Sequence, residues 1–471
     1  MRRAFLHMSA VSAVALAGGL AGCAGTYESA VRHDLVRAER EYAFSPEPAT
    51  ARSADRESAS SVEAGLPGYL RLALENNPDV RAGFERWQAS VHRISRARRL
   101  PEPTIGFGYF VQSVETRVGP QQARLSLQQA FPWPTRLSAG ADAASAQARA
   151  MQRRFEAQAL SVAQRVEAAY WNLWQIRTTR SIHREHLDVI RGLSESVRAR
   201  MSTGVATLAD LQQIDLAAAR IADNIRGMDE AERGAEAFLR AAIGVAADYP
   251  VPTPDEPAAA GMPADSPEAL SASARAHPMI DSLGLLAEAS EATARAEGAE
   301  RFPSFTVGAD WIITGDAAMP GVEGTGRDAV IVGAGIRIPL WQGSYSDSIA
   351  AAEAESRAHR ADQRSLVDRA EAELASTLAN LRDATRRVDL YRVTLVPQAE
   401  TAYESVLGSY TVGRGTVAQA LLSQRDLLEL RIELERARAD HARTWARLEE
   451  LVGRELTPAV RSDSPPGEEE R

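Results

Sequence analysis

Two stretches of the sequence match each other and decide the fold: Met201-Ser-Thr-Gly204-Val-Ala-Thr207-Leu-Ala-Asp210 and Tyr410-Thr-Val-Gly413-Arg-Gly-Thr416-Val-Ala-Gln419. In each, a glycine follows a long amphipathic segment, and a threonine opens the next segment with an acid or amide three residues later. Glycine suits the left-handed position that ends a helix. Threonine followed by such a residue is typical of a capping box. Each stretch therefore predicts a helix end beside a helix start, and we call the two stretches the tips.

The tips belong to a longer internal repeat. Leu74-Glu-Asn-Asn77-Pro78 recurs as Ala274-Arg-Ala-His277-Pro278 (278 − 78 = 200), and Gly204 recurs as Gly413 (413 − 204 = 209). A repeat of this length indicates that one structural unit is used twice. We assign the first repeat to residues 63–248 and the second to residues 267–456. Residues 249–266, rich in Pro and Ala, form the predicted linker.

Each repeat is predicted to contain one helix, two strands and two long helices. The opening helices are predicted from about Leu66 to Arg98 and from about Pro267 to Glu300. The first long helix of each repeat, from about Leu137 to Thr203 or Ser344 to Val412, has almost no helix breaker and would extend roughly 100 Å at 1.5 Å per residue. Pro397 is expected to kink the second one. Trp171 and Trp174 are expected to pack between helices.

Four segments alternate apolar with polar or small residues, which predicts strands. Each is about ten residues long, the length that a tilted strand needs to cross a bilayer. Arg124, Asp310 and Arg337 lie on the polar faces and would line a lumen. Trp133, Trp311 and Trp341 suit the aromatic girdles of outer-membrane barrels. Because open sheet edges are excluded from lipid, several chains must pool their strands, eight from two chains or twelve from three.

The N-terminal sequence predicts export and attachment to a membrane. Arg2 and Arg3 precede an apolar run that ends in Leu20, Ala21, Gly22 and Cys23, a lipobox resembling the signal of bacterial lipoproteins. Residues 1–22 would be the signal peptide and Cys23, the only cysteine, the lipidation site. Ala24 favours the outer membrane, because aspartate at that position marks inner-membrane retention. Residues 23–62 are predicted to be a mostly extended tether, and residues 457–471 a disordered acidic tail.

The order of these elements resembles the TolC-like outer-membrane efflux protein family over roughly residues 64–455. The matching motifs are Asn77-Pro78 with His277-Pro278, the corners Phe131-Pro132-Trp133-Pro134 and Ile338-Pro339-Leu340-Trp341, and the two tips. The resemblance implies a mainly α fold with membrane β strands. In that fold, a trimeric twelve-stranded β-barrel in the outer membrane continues into a long α-helical barrel across the periplasm.

The resemblance also implies a function and partners. Such proteins are passive exit ducts of tripartite pumps that expel drugs or heavy-metal ions. The homotrimer meets a periplasmic adaptor (membrane fusion) protein and an inner-membrane transporter, of RND type. Gly204, Thr207, Gly413 and Thr416 would contact the adaptor, while Asp210 and Gln419 are gate candidates. The alternative for the last two is local capping alone, because acids and amides are favoured at that helical position.

Other functional classes find little support. The net charge of −9 disfavours nucleic acid as a partner. No nucleophile elbow, phosphate loop or His-Glu-x-x-His motif occurs, so neither an enzyme nor a cofactor is expected. His183 and His186, beside Glu185, have metal-ligand spacing but lack further ligands, which favours ordinary surface residues. Two alternatives stay open: a tethered periplasmic coiled-coil scaffold, and an exit duct for type I protein secretion.

Overall fold

The computed structural model describes residues 26–42, 65–252 and 254–459. The predicted signal peptide, the lipobox and Cys23 lie outside the described residues, as do most of the predicted tether and most of the predicted tail. The described residues are mostly helical and contain one antiparallel sheet. Within the described part, no helix is both long and apolar enough to cross a membrane.

The first half contains five helices and two strands in the described residues: α1 (Thr26–Tyr42), α2 (Leu66–Asn76), α3 (Pro78–Ala97), β1 (Thr104–Thr116), β2 (Gly119–Phe131), α4 (Pro134–Ser202) and α5 (Leu208–Ile243). The second half repeats this order after the linker: α6 (Pro267–Arg275), α7 (Pro278–Ala299), β3 (Ser304–Thr314), β4 (Ala329–Arg337), α8 (Gln342–Asp389), a π-helical turn (Leu390–Leu395), α9 (Val396–Thr411) and α10 (Val417–Val452).

The opening helix of each half is broken, so the prediction of one uninterrupted helix was wrong. Asn77, between α2 and α3, has an extended backbone (φ −67°, ψ 125°). A residue that precedes proline is disfavoured in the helical region, because the proline ring meets its backbone. The Asn77 side chain stabilises the break, since its Oδ1 accepts from Asp79 N at 2.8 Å and its Nδ2 donates to Ala242 O at 2.7 Å.

The N-terminal segment is also more ordered than predicted. Residues 26–42 form helix α1, on which Val31, Leu35 and Ala38 recur at helical spacing and are buried. The buried carboxylate of Glu28 forms an ion pair with Arg98 at 2.9 Å. A mostly extended tether is therefore wrong for these seventeen residues, because one apolar stripe is enough to hold an otherwise polar helix.

The four predicted strands form one sheet in the order β1-β2-β3-β4, with every neighbouring pair antiparallel. Directly paired residues share a face, and the register pairs Leu125 with Trp311 and Trp311 with Val330. The apolar residues therefore form one continuous face. Along β3 this face is the more exposed one, since exposed and partly buried residues alternate strictly. The sheet presents its apolar side outward.

The turn of the first hairpin docks against the loop that joins β3 and β4. Gly315 N donates to Pro120 O and Gly326 N to Val118 O, both at 2.8 Å. Gly119 has φ +135°, and a Cβ there would lie 1.7 Å from Gly315 O. Only glycine fits this position. Further out in the loop, Ala317 N donates to the Thr325 hydroxyl at 2.8 Å.

The long helices of the two halves differ in continuity. Helix α4 runs for 69 residues without a break. The corresponding helix of the second half is interrupted by the π-helical turn, and Pro397 lies in the first turn of α9. Proline lacks an N–H, and its ring clashes with the carbonyl four residues earlier. A wider turn interrupts the helix beside Pro397 as expected, and the kink itself stays a prediction. Trp171 and Trp174 are buried on α4, as predicted.

The chain divides into two compact units, and each combines segments of both halves. One contains residues 26–41, 85–152 and 282–363, including the whole sheet. The other contains the described parts of residues 42–84, 153–281 and 364–459, including both tips. In this second unit, one core is built from residues of α6, α8 and α10 and the segment after α10: Leu270, Ala274, Leu374, Leu378, Leu381, Leu448, Val452 and Leu456.

The linker is anchored at several points. Ala264 N donates to Thr457 O at 3.0 Å, and Ala459 N donates to Met262 O at 2.8 Å. Asp255 N donates to the Tyr170 hydroxyl at 2.7 Å. Residues 457–459, which the sequence assigns to the tail, are thus paired with the linker. The predicted tail begins at least three residues too early.

Candidate functional site

The candidate site is the pair of tips, whose backbones are nearly identical. Gly204 has φ +76° and Gly413 has φ +77°, so both occupy the left-handed position that the sequence predicts. Val205 N donates to Arg200 O at 3.0 Å, and Arg414 N donates to Ser409 O at 2.9 Å. Bonds of this span occupy carbonyl groups that the end of a helix leaves unpaired.

Both predicted capping boxes are present. Thr207 N donates to the Asp210 carboxylate at 2.9 Å, and Asp210 N donates back to the Thr207 hydroxyl at 3.2 Å. Thr416 and Gln419 repeat the pattern at 3.0 and 3.2 Å. Helices α5 and α10 therefore begin with the same geometry.

The two boxes differ in charge. The hydrogen bonds from the Thr207 backbone N–H and then from its hydroxyl lower the pKa of Asp210, so this carboxylate is ionised at neutral pH. Gln419 holds the equivalent position without a charge. Gly204, Thr207, Gly413 and Thr416 are all exposed and available to a partner.

Arg200 joins the two tips, a contact that the sequence analysis missed. Its guanidinium donates to Tyr410 O at 2.9 Å and to Thr411 O at 2.8 Å. It also lies 4.4 Å from the centre of the Tyr410 ring. A cation at the end of α9 satisfies its last carbonyl groups and is favoured by the helix dipole. The sequence did contain a signal for this contact, because the two repeats differ here: Arg200 stands where the second repeat has Ser409 (409 − 200 = 209).

An apolar core supports the tips. Its buried residues come from the long helices of both halves: Leu187, Ile190, Val197, Ile214, Ile221, Tyr410 and Val417. Because residues from both halves share this cluster, neither hairpin can move independently without exposing apolar surface.

His183 and His186 are buried, so the interpretation as surface residues was wrong. Both lie on the inner side of α4, and Gln424 Nε2 of α10 donates to His186 Nδ1 at 2.8 Å. Burial lowers the pKa of both histidines, that of His186 to about 4. Across the described residues, no group of three or more His, Cys, Asp or Glu side chains is arranged to hold a metal ion.

The predicted lumen residues lie on the polar face of the sheet. Arg124 and Asp310 form an ion pair at 2.9 Å across β2 and β3. Arg337 is paired with Ser304 at the other end of β3. The carboxylate and guanidinium of the pair neutralise each other, so Arg337 is the remaining charge of the three. Their exposure to a lumen stays a prediction.

The three tryptophans have different surroundings. Trp133 stacks on Phe302, with ring centres 4.9 Å apart. Trp311 lies on the apolar face and donates its indole N–H to Asp328 at 2.9 Å. Trp341 is 77% exposed. The position of these rings in an aromatic girdle stays a prediction.

Comparison with known proteins gives three findings. Residues 69–245 and 270–454 match the family model described as "Outer membrane efflux protein". The chain is 22% identical over 274 residues to outer membrane efflux protein BepC of Brucella suis biovar 1 (strain 1330); the match covers 58% of this chain and 59% of that protein.

The fold is shared with solved structures. The outer membrane protein VceC of Vibrio cholerae superposes with a TM-score of 0.68 and 19% identity, covering 82% of this chain and 96% of the other. The MtrE outer membrane channel of Neisseria gonorrhoeae, solved in its open state, superposes with a TM-score of 0.65 and 17% identity, covering 83% and 89%.

Proposed function

The chain belongs to the outer membrane efflux protein family, whose members are channel proteins and not enzymes, and on this basis we propose that it is the exit duct of a tripartite efflux system. The duct is passive, and the energy comes from an inner-membrane partner. Small molecules, either drugs or heavy-metal ions, leave through it.

One observation supports this proposal above the others, namely the outward apolar face of a sheet that has two open edges. Ile105, Phe107, Val330 and Val332 are each at least 70% exposed. β1 and β4 are the edge strands, and each pairs with one neighbour in the described residues. Exposed apolar strands with unpaired edges favour aggregation in water. In lipid the same face is favourable, provided that every edge is paired.

Three copies would meet both requirements. If β1 of each copy pairs with β4 of the next, three sheets of four strands close into a twelve-stranded barrel without edges. An eight-stranded barrel from two copies would be filled by its own side chains. We therefore propose a homotrimeric barrel in the outer membrane that continues into a periplasmic α-helical barrel, with Arg124, Asp310 and Arg337 toward the lumen.

The tips would form the periplasmic end of the duct. Gly204, Thr207, Gly413 and Thr416 would contact the periplasmic adaptor protein, which links the trimer to an inner-membrane transporter of RND type. Asp210 would contribute one carboxylate per copy to a gate at this end, with Gln419 opposite it in the repeat. A lipidated Cys23 would add acyl chains to the outer-membrane anchor, at about 0.8 kcal/mol per buried methylene.

Two other functions use the same sequence features. A duct for type I protein secretion differs only in its cargo. A tethered coiled-coil scaffold would keep the sheet in water, and the exposed apolar face argues against it.

The decisive experiment compares two variants of β4, in which an arginine is placed on one face or, at the neighbouring position, on the other. Val332→Arg is expected to reduce the amount of assembled outer-membrane protein strongly, because an arginine facing lipid costs about 2–4 kcal/mol near the bilayer midplane. Gly333→Arg is the matched control, since Gly333 faces the other side and a Cβ there meets no atom within 4 Å. Membrane fractionation and gel mobility without heating measure assembly.

Conductance in planar bilayers completes the test. The purified mature protein should form trimers by light scattering and conduct ions. If Val332→Arg assembles as well as Gly333→Arg, and the protein is a soluble monomer, the duct hypothesis is wrong and the coiled-coil scaffold is the better explanation.

A further inference from the structure

Three buried polar side chains join the two halves behind the tips. His183 and His186 lie on α4 of the first half and Gln424 on α10 of the second, and all three are at least 93% buried. Since the Gln424 amide N–H can only donate, His186 Nδ1 must accept, which requires the neutral imidazole with its proton on Nε2. His183 Nδ1 and Gln424 Oε1 are buried with no hydrogen-bond partner among the described residues.

In the part of the chain that the structure describes, no carboxylate acts on the pKa of either histidine. Two effects lower the pKa of His186, first its burial and then the neighbouring His183. On α5, α9 and α10, Asp215 pairs with Arg198, Asp229 with Arg180 and Arg184, Glu400 with Arg431, and Arg425 with Asp426 and Glu429. Arg220 and Glu404 on these helices are exposed to solvent. On α4 itself, Arg184, Glu185 and Asp188 are exposed to solvent.

We propose that His183, His186 and Gln424 form an acid-sensitive contact, which holds α4 against α10 at neutral pH and releases them when the medium acidifies. Rotation of the Gln424 amide would restore a hydrogen bond to a protonated ring, because its free Oε1 can accept. It would not supply a countercharge. A buried charge without a countercharge is costly, and separating the two helices exposes the ring to water.

The direction of the pH effect follows from the lowered pKa. The neutral histidine is favoured in the contact, so the contact is fully stable above the ordinary pKa and weakens as the pH falls below it. The pKa of His186 is about 4 in the contact, against an ordinary 6.5 after release. Lowering the pH from 7.5 to 5 therefore favours the released state about 30-fold through His186 alone.

Spin labels on exposed neighbours can measure the separation of the helices. Glu185→Cys on α4 and Arg425→Cys on α10 carry the labels, in lipidated mature protein diluted with unlabelled copies. We expect the distance distribution to shift to longer distances between pH 7.5 and pH 5. In the double variant His183→Gln plus His186→Gln, both side chains stay neutral and the distribution should not shift. Circular dichroism at pH 7.5 checks that this variant folds.

His277→Gln is the control. Burial lowers the pKa of His277 too, but it lies in the break between α6 and α7, so this variant should respond to pH like the unmodified chain. An unshifted distribution in the unmodified chain would overturn the proposal, and so would an equal shift in the double variant. The measurement does not require conduction. If the protein did not conduct ions, the proposed duct would be wrong, and the acid-sensitive contact would be unaffected.

Discussion

The two halves of the chain share their order of elements and differ most in their long helices. In the first half α4 is continuous for 69 residues. In the second half α8 ends at Asp389, a π-helical turn follows, and α9 continues the path. Pro397 corresponds to Asp188 (397 − 188 = 209), so one residue type at one position accounts for the difference. In this pair of helices the interruption lies beside the proline.

Unlike the long helices, the two tips have the same backbone conformation, and they differ in their charged side chains. Gly204 and Gly413 have φ angles within 1° of each other. The first tip nevertheless carries Arg200 and Asp210, where the second carries Ser409 and Gln419. Glycine and threonine therefore determine the turn, and the charged positions are free to serve the contact between halves or a function of the assembly.

The largest expected effect comes from giving the first half the proline of the second. Asp188→Pro removes an N–H from the middle of α4 and places a ring against the carbonyl of Arg184, which costs about 3 kcal/mol or more. Pro397→Ala, the reverse change, should alter stability by less than about 1 kcal/mol, because an α-helical path becomes available. Thermal unfolding followed by circular dichroism measures both. Equal effects would mean that either half accommodates a π-helical turn.

A smaller effect is expected from the cation that joins the tips. Arg200→Ala removes two charged hydrogen bonds and the ring contact, and we expect a loss of about 1–2 kcal/mol because the site is only partly buried. Ser409→Ala is the matched control at the equivalent position, which is exposed. Hydrogen exchange in residues 405–416 should accelerate for Arg200→Ala alone. Acceleration in both variants would show that the tips separate for another reason.

The smallest expected effect on stability concerns the capping boxes. Asp210→Ala and Gln419→Ala should each cost about 1 kcal/mol, the usual contribution of such a cap. Only the first depends on pH. The Asp210 carboxylate has a lowered pKa, so its contribution is present above its ordinary value of 3.8 and is lost as the pH falls further. Denaturant unfolding at pH 7 and pH 3 should show this difference between the variants.

The same pair tests the gate. If Asp210 belongs to a closed periplasmic end, Asp210→Ala raises the conductance of the isolated duct, and Gln419→Ala does so less. Unchanged conductance with lowered helix stability would assign Asp210 to the cap alone.

Local patterns allowed much of the fold to be predicted. The tips, the strands and their faces depend on residues within a few positions of one another, such as Gly204 with Thr207, and these predictions were confirmed. Helix α1 was missed because its apolar stripe, Val31, Leu35 and Ala38, is short and surrounded by charges. The breaks at Asn77 and His277 were missed although a proline follows each.

Contacts between distant segments were harder to predict. Arg200 meets Tyr410 across 210 residues, and Gln424 meets His186 across 238. A single sequence contains no local signal for such pairs, so the burial of His183 and His186 was not foreseen. The roles of the tip and strand residues in an assembly depend on other chains and stay predictions.

The turn between β1 and β2 and the loop between β3 and β4, which dock against each other, differ in how well they can accept an inserted sequence. The outer part of the β3–β4 loop is closed by its own hydrogen bond from Ala317 to Thr325. Gly321, between them, has φ +86° and open space around it. An epitope inserted beside Gly321 would leave the strand register intact. The same insertion next to Gly119 would separate the two loops, so of these two only the β3–β4 loop is expected to accept an insertion.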